Sequence, residues 1–233
     1  MPFQRKFDDS YPRVYDKWES NGATYIIQDL PPEDDDVAIR VLVENLCTDE
    51  VLCNLSDMIN DPESVRGIIE YWKYHLAKRM SLGCYIQKEG VKRLVALNVC
   101  LVSCKGEEEH VPIDGEKWKN VHDVLEYAEA KYDVFEYLGV DKVLHALGLV
   151  VAREYRGARL GGRILAAREP LSLSQGVKAT ATVFTGIASQ KLAASCGFTT
   201  AVEVSIKELA EVPGLKYPKD DERSIKVMVK KFE

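Results

Sequence analysis

Apolar residues run almost unbroken in one stretch of this chain, recur every three or four positions in others, and alternate with polar residues in the rest. The almost unbroken run covers residues 143–152 and is interrupted by His145. It is too short to span a membrane and has the length of a buried strand. Helical recurrence is clearest after Asp61-Pro62-Glu63, where Val65, Ile68, Ile69, Trp72, Leu76 and Met80 form one apolar stripe. An earlier helix opens on Pro31-Pro32-Glu33-Asp34-Asp35-Asp36, with proline and acids in the first turn. It carries Val37, Ile39, Val41, Leu42 and Leu46 and runs out near residues 47–52.

Residues 23–30 read as a first strand, and residues 82–88 and 94–104 as a hairpin turning at Glu89-Gly90. A charged loop at 105–109 and a helix over 118–138 follow. Beyond the central run come a strand at 177–184, a short helix at 187–195 stopped by Gly197, and alternating strands at 198–209 and 224–232. A polar loop at 213–223 separates the last two strands. Residues 1–21 are polar and aromatic and read as an arm or a loose end. Strands interleaved with helices imply an α/β (α+β) chain with a mixed sheet covered on both faces. Nothing resembling a repeat or a linker divides it, so residues 1–233 read as one domain.

Directly after the apolar run the character changes. Arg153-Glu154-Tyr155-Arg156 is a polar bend, Gly157-Ala158-Arg159-Leu160-Gly161-Gly162 is rich in small residues, and residues 163–168 are good helix formers. A strand, a small-residue turn and a helix start make an anion site. The first backbone N–H groups of a helix lack intrahelical partners, and small residues let a phosphate approach them. A net charge of −6 argues against holding nucleic acid by charge and leaves open a cationic small molecule. The six cysteines stand apart among apolar neighbours with no CxxC pair and no secretory signal, so we expect free thiols in a reducing compartment, the cytoplasm. No stretch approaches the roughly 20 apolar residues of a membrane span. The histidines are too scattered to argue for a metal site, and His145, in the apolar run, reads as a core histidine. A dinucleotide-binding reading is disfavoured because the turn lacks G-x-G-x-x-G and follows a late strand.

The apolar strand, the motif Arg156-Gly157-Ala158-Arg159-Leu160-Gly161 opening a helix, and the later strand and short helix ending Cys196-Gly197-Phe198 resemble the acetyl-CoA-binding core of the GNAT N-acetyltransferases. Cys47-Thr48-Asp49-Glu50-Val51-Leu52, together with Thr185, Ser189 and Gly197-Phe198, is similar to segments of the insect arylalkylamine N-acetyltransferases. The order of elements matches from residue 23 to 232. The chain departs from the pattern at Arg159, where glycine is expected, and at Val51, where proline is usual.

The resemblance implies a GNAT fold, a mostly antiparallel sheet of about seven strands, and direct acetyl transfer from acetyl-CoA to a small amine, an arylalkylamine first, with no metal. The N–H groups of residues 157–162 (Gly157, Ala158, Arg159, Leu160, Gly161, Gly162) would take the pyrophosphate. Leu149, Val150 and Val151 would pair with the pantetheine, and a backbone N–H near Val150 would polarise the acetyl carbonyl. It implies Glu50 as general base, with Asp49 a cap or solvent group. Ser189 and Thr185 would supply the proton for the thiolate, although Thr185 fits an N-cap equally well. Many such enzymes place a tyrosine acid where Ala188 stands. Cys196 is not expected to be a nucleophile. The alternatives are a polyamine or other small-amine acetyltransferase, which acids lining the acceptor pocket would favour, and a non-catalytic acyl-CoA-binding module. We expect a monomer with no nucleic-acid or membrane partner.

Overall fold

The computed structural model describes residues 3–107 and 109–232. In chain order the elements are β1 (Val14–Ser20), β2 (Ala23–Asp29), α1 (Asp35–Asn45), α2 (Val51–Leu55), α3 (Pro62–Leu76), β3 (Leu82–Lys88) and β4 (Val91–Cys104). The second half contains α4 (Glu116–Glu129), α5 (Val134–Leu138), β5 (Lys142–Val151), α6 (Leu160–Ser174), β6 (Ala179–Phe184), α7 (Ile187–Ser195), β7 (Thr199–Ser205), α8 (Ile206–Leu209) and β8 (Ser224–Lys231). One eight-stranded sheet has the order β1-β2-β3-β4-β5-β6-β8-β7. Every neighbouring pair is antiparallel except β5 and β6.

Both faces are covered, as the interleaved pattern requires. Leu42, Leu52, Trp72 and Val124 from α1 to α4 pack with Leu97, Val99 and Val150. Leu160, Ile164, Ala167 and Leu171 of α6 pack with Ile27, Cys84, Ala96 and Leu144. The six cysteines are free, four of them buried. No helix among the described residues is long and apolar enough to cross a membrane.

Several boundaries differ from the expectation. The arm supplies β1, an edge strand and the eighth of the sheet. Asp29, fully buried, draws it in: the carboxylate accepts two hydrogen bonds from Arg5 at 2.8 and 2.7 Å, one from the Tyr15 hydroxyl at 2.9 Å and one from the Arg13 N–H at 2.8 Å. The helix expected over 118–138 is two helices. Asp133 caps the second by accepting from the N–H groups of Phe135 and Glu136. The alternating segment 198–209 ends as a strand at Ser205, whose hydroxyl accepts from Glu208 N and starts α8. Both caps are local competitors that outweigh continued helix or strand.

Asp29→Ala would leave the buried Arg5 guanidinium uncompensated. A loss of about 3–5 kcal/mol is expected in urea unfolding; a loss below 1 kcal/mol would mean that the arm is held some other way.

Candidate active site

β5 and β6 run side by side for only two residue pairs, Leu144 with Thr180 and His145 with Ala181. Beyond them the strands diverge. On its other edge β5 stays paired with β4 but carries a bulge, Leu147 and Gly148 standing opposite Val99. Gly148 has φ +131°, and a Cβ there would lie 3.1 Å from Leu46 Cδ2, so only glycine fits. The bulge is pinned from both sides. The Trp72 indole N–H donates to the Leu147 carbonyl at 2.8 Å, and the Asn98 amide donates to the Gly148 carbonyl at 2.8 Å. Asn98 Oδ1 accepts from Arg168 Nε at 2.8 Å, and Arg168 Nη1 donates to the Thr182 hydroxyl of β6 at 2.9 Å. Arg168 is fully buried, no carboxylate among the described residues pairs with it, and desolvation lowers its pKa. Its place in a run of helix formers gave no sign of this.

The divergence opens into a cavity of 1360 Å³. Of the residues expected to hold acetyl-CoA, Leu149, Val150, Val151, Arg156, Gly157, Arg159, Leu160, Gly161 and Gly162 line it, whereas Ala158 does not. Among the described residues no N–H of residues 157–162 donates to a backbone carbonyl, so the helix start is an unsatisfied donor cluster. Gly161 and Gly162 serve packing as well: a Cβ on either would press on Leu192 of α7 at 3.0 and 3.3 Å.

Arg159 is the N-cap of α6 with φ +58° and ψ +20°. This is the left-handed conformation that glycine adopts freely, which explains why the pattern has glycine there. The Arg156 side chain turns back into the protein, pairing with Asp49 at 2.8 Å and donating to the Val151 carbonyl at 3.1 Å. Asp49 also pairs with Arg153 at 2.6 Å, and these two arginines hold its carboxyl down to about 2. Asp49 is thus a solvent-exposed ion-pair clamp rather than a cap.

Glu50 stands at the start of a helix, not at the end of one as the sequence pattern suggested. It is the N-cap of α2, accepting from Leu52 N at 3.0 Å and Cys53 N at 2.7 Å. Val51 is therefore the first helical residue, where proline is favoured but any residue serves because the N–H is unbonded anyway. The Thr185 hydroxyl donates to Glu50 Oε1 across 135 residues of sequence. Thr185 does not cap α7; Gly186 occupies that position with no side-chain bond. Ser189 lies one turn on, its hydroxyl donating to the Gly186 carbonyl at 2.8 Å. All three residues and Ala188 line the cavity. Cys196 sits behind the wall, its thiol 3.8 Å from the Gly162 carbonyl.

The cavity continues to a far end that sequence reasoning missed. Tyr71 and His75 of α3, Trp118 and His122 of α4, and His145 line it. His145 faces the cavity rather than the core, with Nδ1 3.4 Å from Glu129 Oε1. His122, Asp123 and Glu126 bring ligand-type atoms within 4.8 Å of one another. Their i, i+1, i+4 spacing on a helix was the one available signal.

Arg159→Gly should relieve the left-handed strain and raise unfolding stability by up to about 1 kcal/mol. Urea denaturation checks this; a decrease would mean that the side chain stabilises the turn.

No protein-family model matches the chain, and no curated protein sequence does. Solved structures do match. A mosquito protein of Aedes aegypti, provisionally named arylalkylamine N-acetyltransferase 7, is 29% identical over 99% of this chain and all of its own, with a TM-score of 0.91. Arylalkylamine N-acetyltransferase 2 of the same mosquito is 18% identical over 90% of this chain and 99% of its own, at 0.77. The Drosophila melanogaster polyamine N-acetyltransferase that forms N-acetylagmatine is 17% identical over 89% of this chain and all of its own, at 0.71. The fold is thus that of the GNAT N-acetyltransferases, in a form resembling the insect arylalkylamine N-acetyltransferases.

Proposed function

We propose that this protein is an acetyl-CoA-dependent N-acetyltransferase acting on a small primary amine. One observation carries the reading: an unsatisfied helix start and a carboxylate–hydroxyl pair face the same cavity. The N–H groups of Gly157, Arg159, Leu160, Gly161 and Gly162 hold the pyrophosphate, as helix N-termini hold anions. The Arg159 side chain lends a further positive charge. The free edge of β5 at Leu149, Val150 and Val151 pairs with the pantetheine amides, and an N–H near Val150 polarises the acetyl carbonyl.

Glu50 removes a proton from the substrate ammonium, directly or through one water. Two backbone N–H groups and the Thr185 hydroxyl hold its carboxylate in place. The freed amine attacks the carbonyl carbon, a C–N bond forms, the C–S bond breaks, and the thiolate leaves. Ser189 gives its proton to the sulfur once its hydroxyl rotates away from the Gly186 carbonyl, and recovers one from the attacking nitrogen, which sheds its second proton as the amide forms; Thr185 acts chiefly by orienting Glu50. Two acceptor classes are supported by different walls. Tyr71 and Trp118 suit the ring of an arylalkylamine, and Glu126 and Glu129 suit a polyamine.

Glu50→Gln should lower kcat by about 100-fold or more near pH 7, since a positioned base is typically worth 10²–10⁴. The loss should shrink as pH rises toward the amine's own pKa. Thiol release from acetyl-CoA with a panel of amines measures both; unchanged turnover at pH 7 would remove Glu50 as the base.

A further inference from the structure

Arg168 has no part in the acetyl-transfer steps, yet it sits where β5 and β6 part. It is fully buried, and its guanidinium can only donate, so whatever it bonds must present an oxygen. Nε donates to Asn98 Oδ1 at 2.8 Å. The Asn98 amide therefore has one orientation, with Nδ2 turned to the Gly148 carbonyl at 2.8 Å. Nη1 donates to the Thr182 hydroxyl at 2.9 Å and to the Thr180 hydroxyl at 3.4 Å. With its oxygen so engaged, the Thr180 hydroxyl donates to the Leu144 carbonyl at 2.8 Å. One guanidinium thus directs two side chains, each onto a carbonyl of β5. Leu144 belongs to the part of β5 still paired with β6, and Gly148 to the bulge beyond it.

A second observation separates this role from stability. Arg168 Nη2 has no hydrogen-bond partner, and the Phe198 ring is 5.9 Å away. A buried cation held by neutral groups is costly, and an apolar side chain of similar length often serves packing as well. Such a side chain would not orient Asn98. The amide could then turn its oxygen to the Gly148 carbonyl, and two acceptors would face each other. The direction of that carbonyl matters to the cleft. The peptide between Gly148 and Leu149 is planar and trans, so its N–H points opposite to its C=O. Holding the Gly148 carbonyl against Asn98 aims the Leu149 N–H away from Asn98, toward the gap left by β6, where Leu149 lines the cavity.

We propose that Arg168 is a positioning residue for acetyl transfer: through Asn98 it fixes the peptide between Gly148 and Leu149, so that the Leu149 N–H meets the thioester carbonyl. The proposal rests on the acetyl-transfer reading of this cavity and names the group that aims its oxyanion donor.

The test uses two variants. Arg168→Met removes the guanidinium. Asn98→Asp keeps an oxygen for Arg168 and, ionised beside it, supplies a counter-ion, but turns an acceptor to the Gly148 carbonyl. Thiol release from acetyl-CoA, with the best amine of a panel, should show kcat lowered about tenfold or more in both, since a lost oxyanion donor costs about 10²–10³. The KM for acetyl-CoA, and the Kd and stoichiometry of CoA in calorimetric titration, should stay as in the unmodified protein, because the start of α6 is untouched. The loss should be constant over the pH range in which that of Glu50→Gln shrinks. Amide hydrogen exchange over residues 147–151 should quicken in both variants, with β1 to β3 unchanged. A merely structural role would instead lower kcat in step with the CoA stoichiometry, and that result overturns the proposal. So does unchanged kcat in Asn98→Asp, or unaltered exchange over 147–151 in both variants. If Arg168→Met does not fold, Asn98→Asp decides alone. If the unmodified protein acetylates no amine, it is the acetyl-transfer reading that fails, and the exchange result by itself upholds or overturns the hold of Arg168 on β5.

Discussion

The site exists because β5 leaves β6. Two parallel strands that could have zipped along their length pair at two positions and then part. Parting exposes backbone donors and acceptors that a closed sheet would satisfy, so something must hold the strands open. The bulge at Leu147 and Gly148 bends β5 away, and side chains fix its carbonyls: the Trp72 indole takes one and the Asn98 amide the other. Arg168 ties Asn98 to Thr182, joining β4, α6 and β6 below the opening. A cation buried among neutral groups is a costly brace, and the lowered pKa of Arg168 is a sign of that cost. It brings together the three elements that border the cleft.

A second constraint is the short segment from Thr48 to Cys53, which faces two ways. Asp49 draws Arg153 and Arg156 together beside the helix start of α6. The next residue caps α2 and meets Thr185 from the loop after β6. Adjacent carboxylates thus brace the loop that leads into α6 and form the carboxylate–hydroxyl pair. One rigid turn fixes the distance between them, because Glu50 is held by backbone N–H groups rather than by a flexible partner.

Several features were legible because their causes are local. The run at residues 143–152 reads as a strand and the small-residue turn after it as a helix start, although most of the strand is half-buried along the cavity. Arg159 stood out as an anomaly, and its left-handed backbone accounts for it. Other local signals were present but unread. Asp133-x-x-Glu136 and Ser205-x-x-Glu208 are capping patterns that mark the starts of α5 and α8. The arm was ambiguous for a different reason. Its strand depends on Asp29 gathering Arg5, Arg13 and Tyr15, and a buried acid inside an apolar strand does not announce its partners.

The sequence by itself determined most of the strands and helices, the small-residue start of α6, and the presence of a carboxylate at position 50, because each depends on neighbours within a turn or two. Only the tertiary structure decided what those groups face. Glu50 meets Thr185 because α2 packs where the chain returns after β6, a closure over 135 residues that no local pattern encodes. His145 points to Glu129 rather than into the core because the bulge offsets the alternation of β5. The polar groups at the far end of the cavity meet only where α3, α4 and β5 converge. Burial and pairing are properties of that convergence, and no single segment holds them.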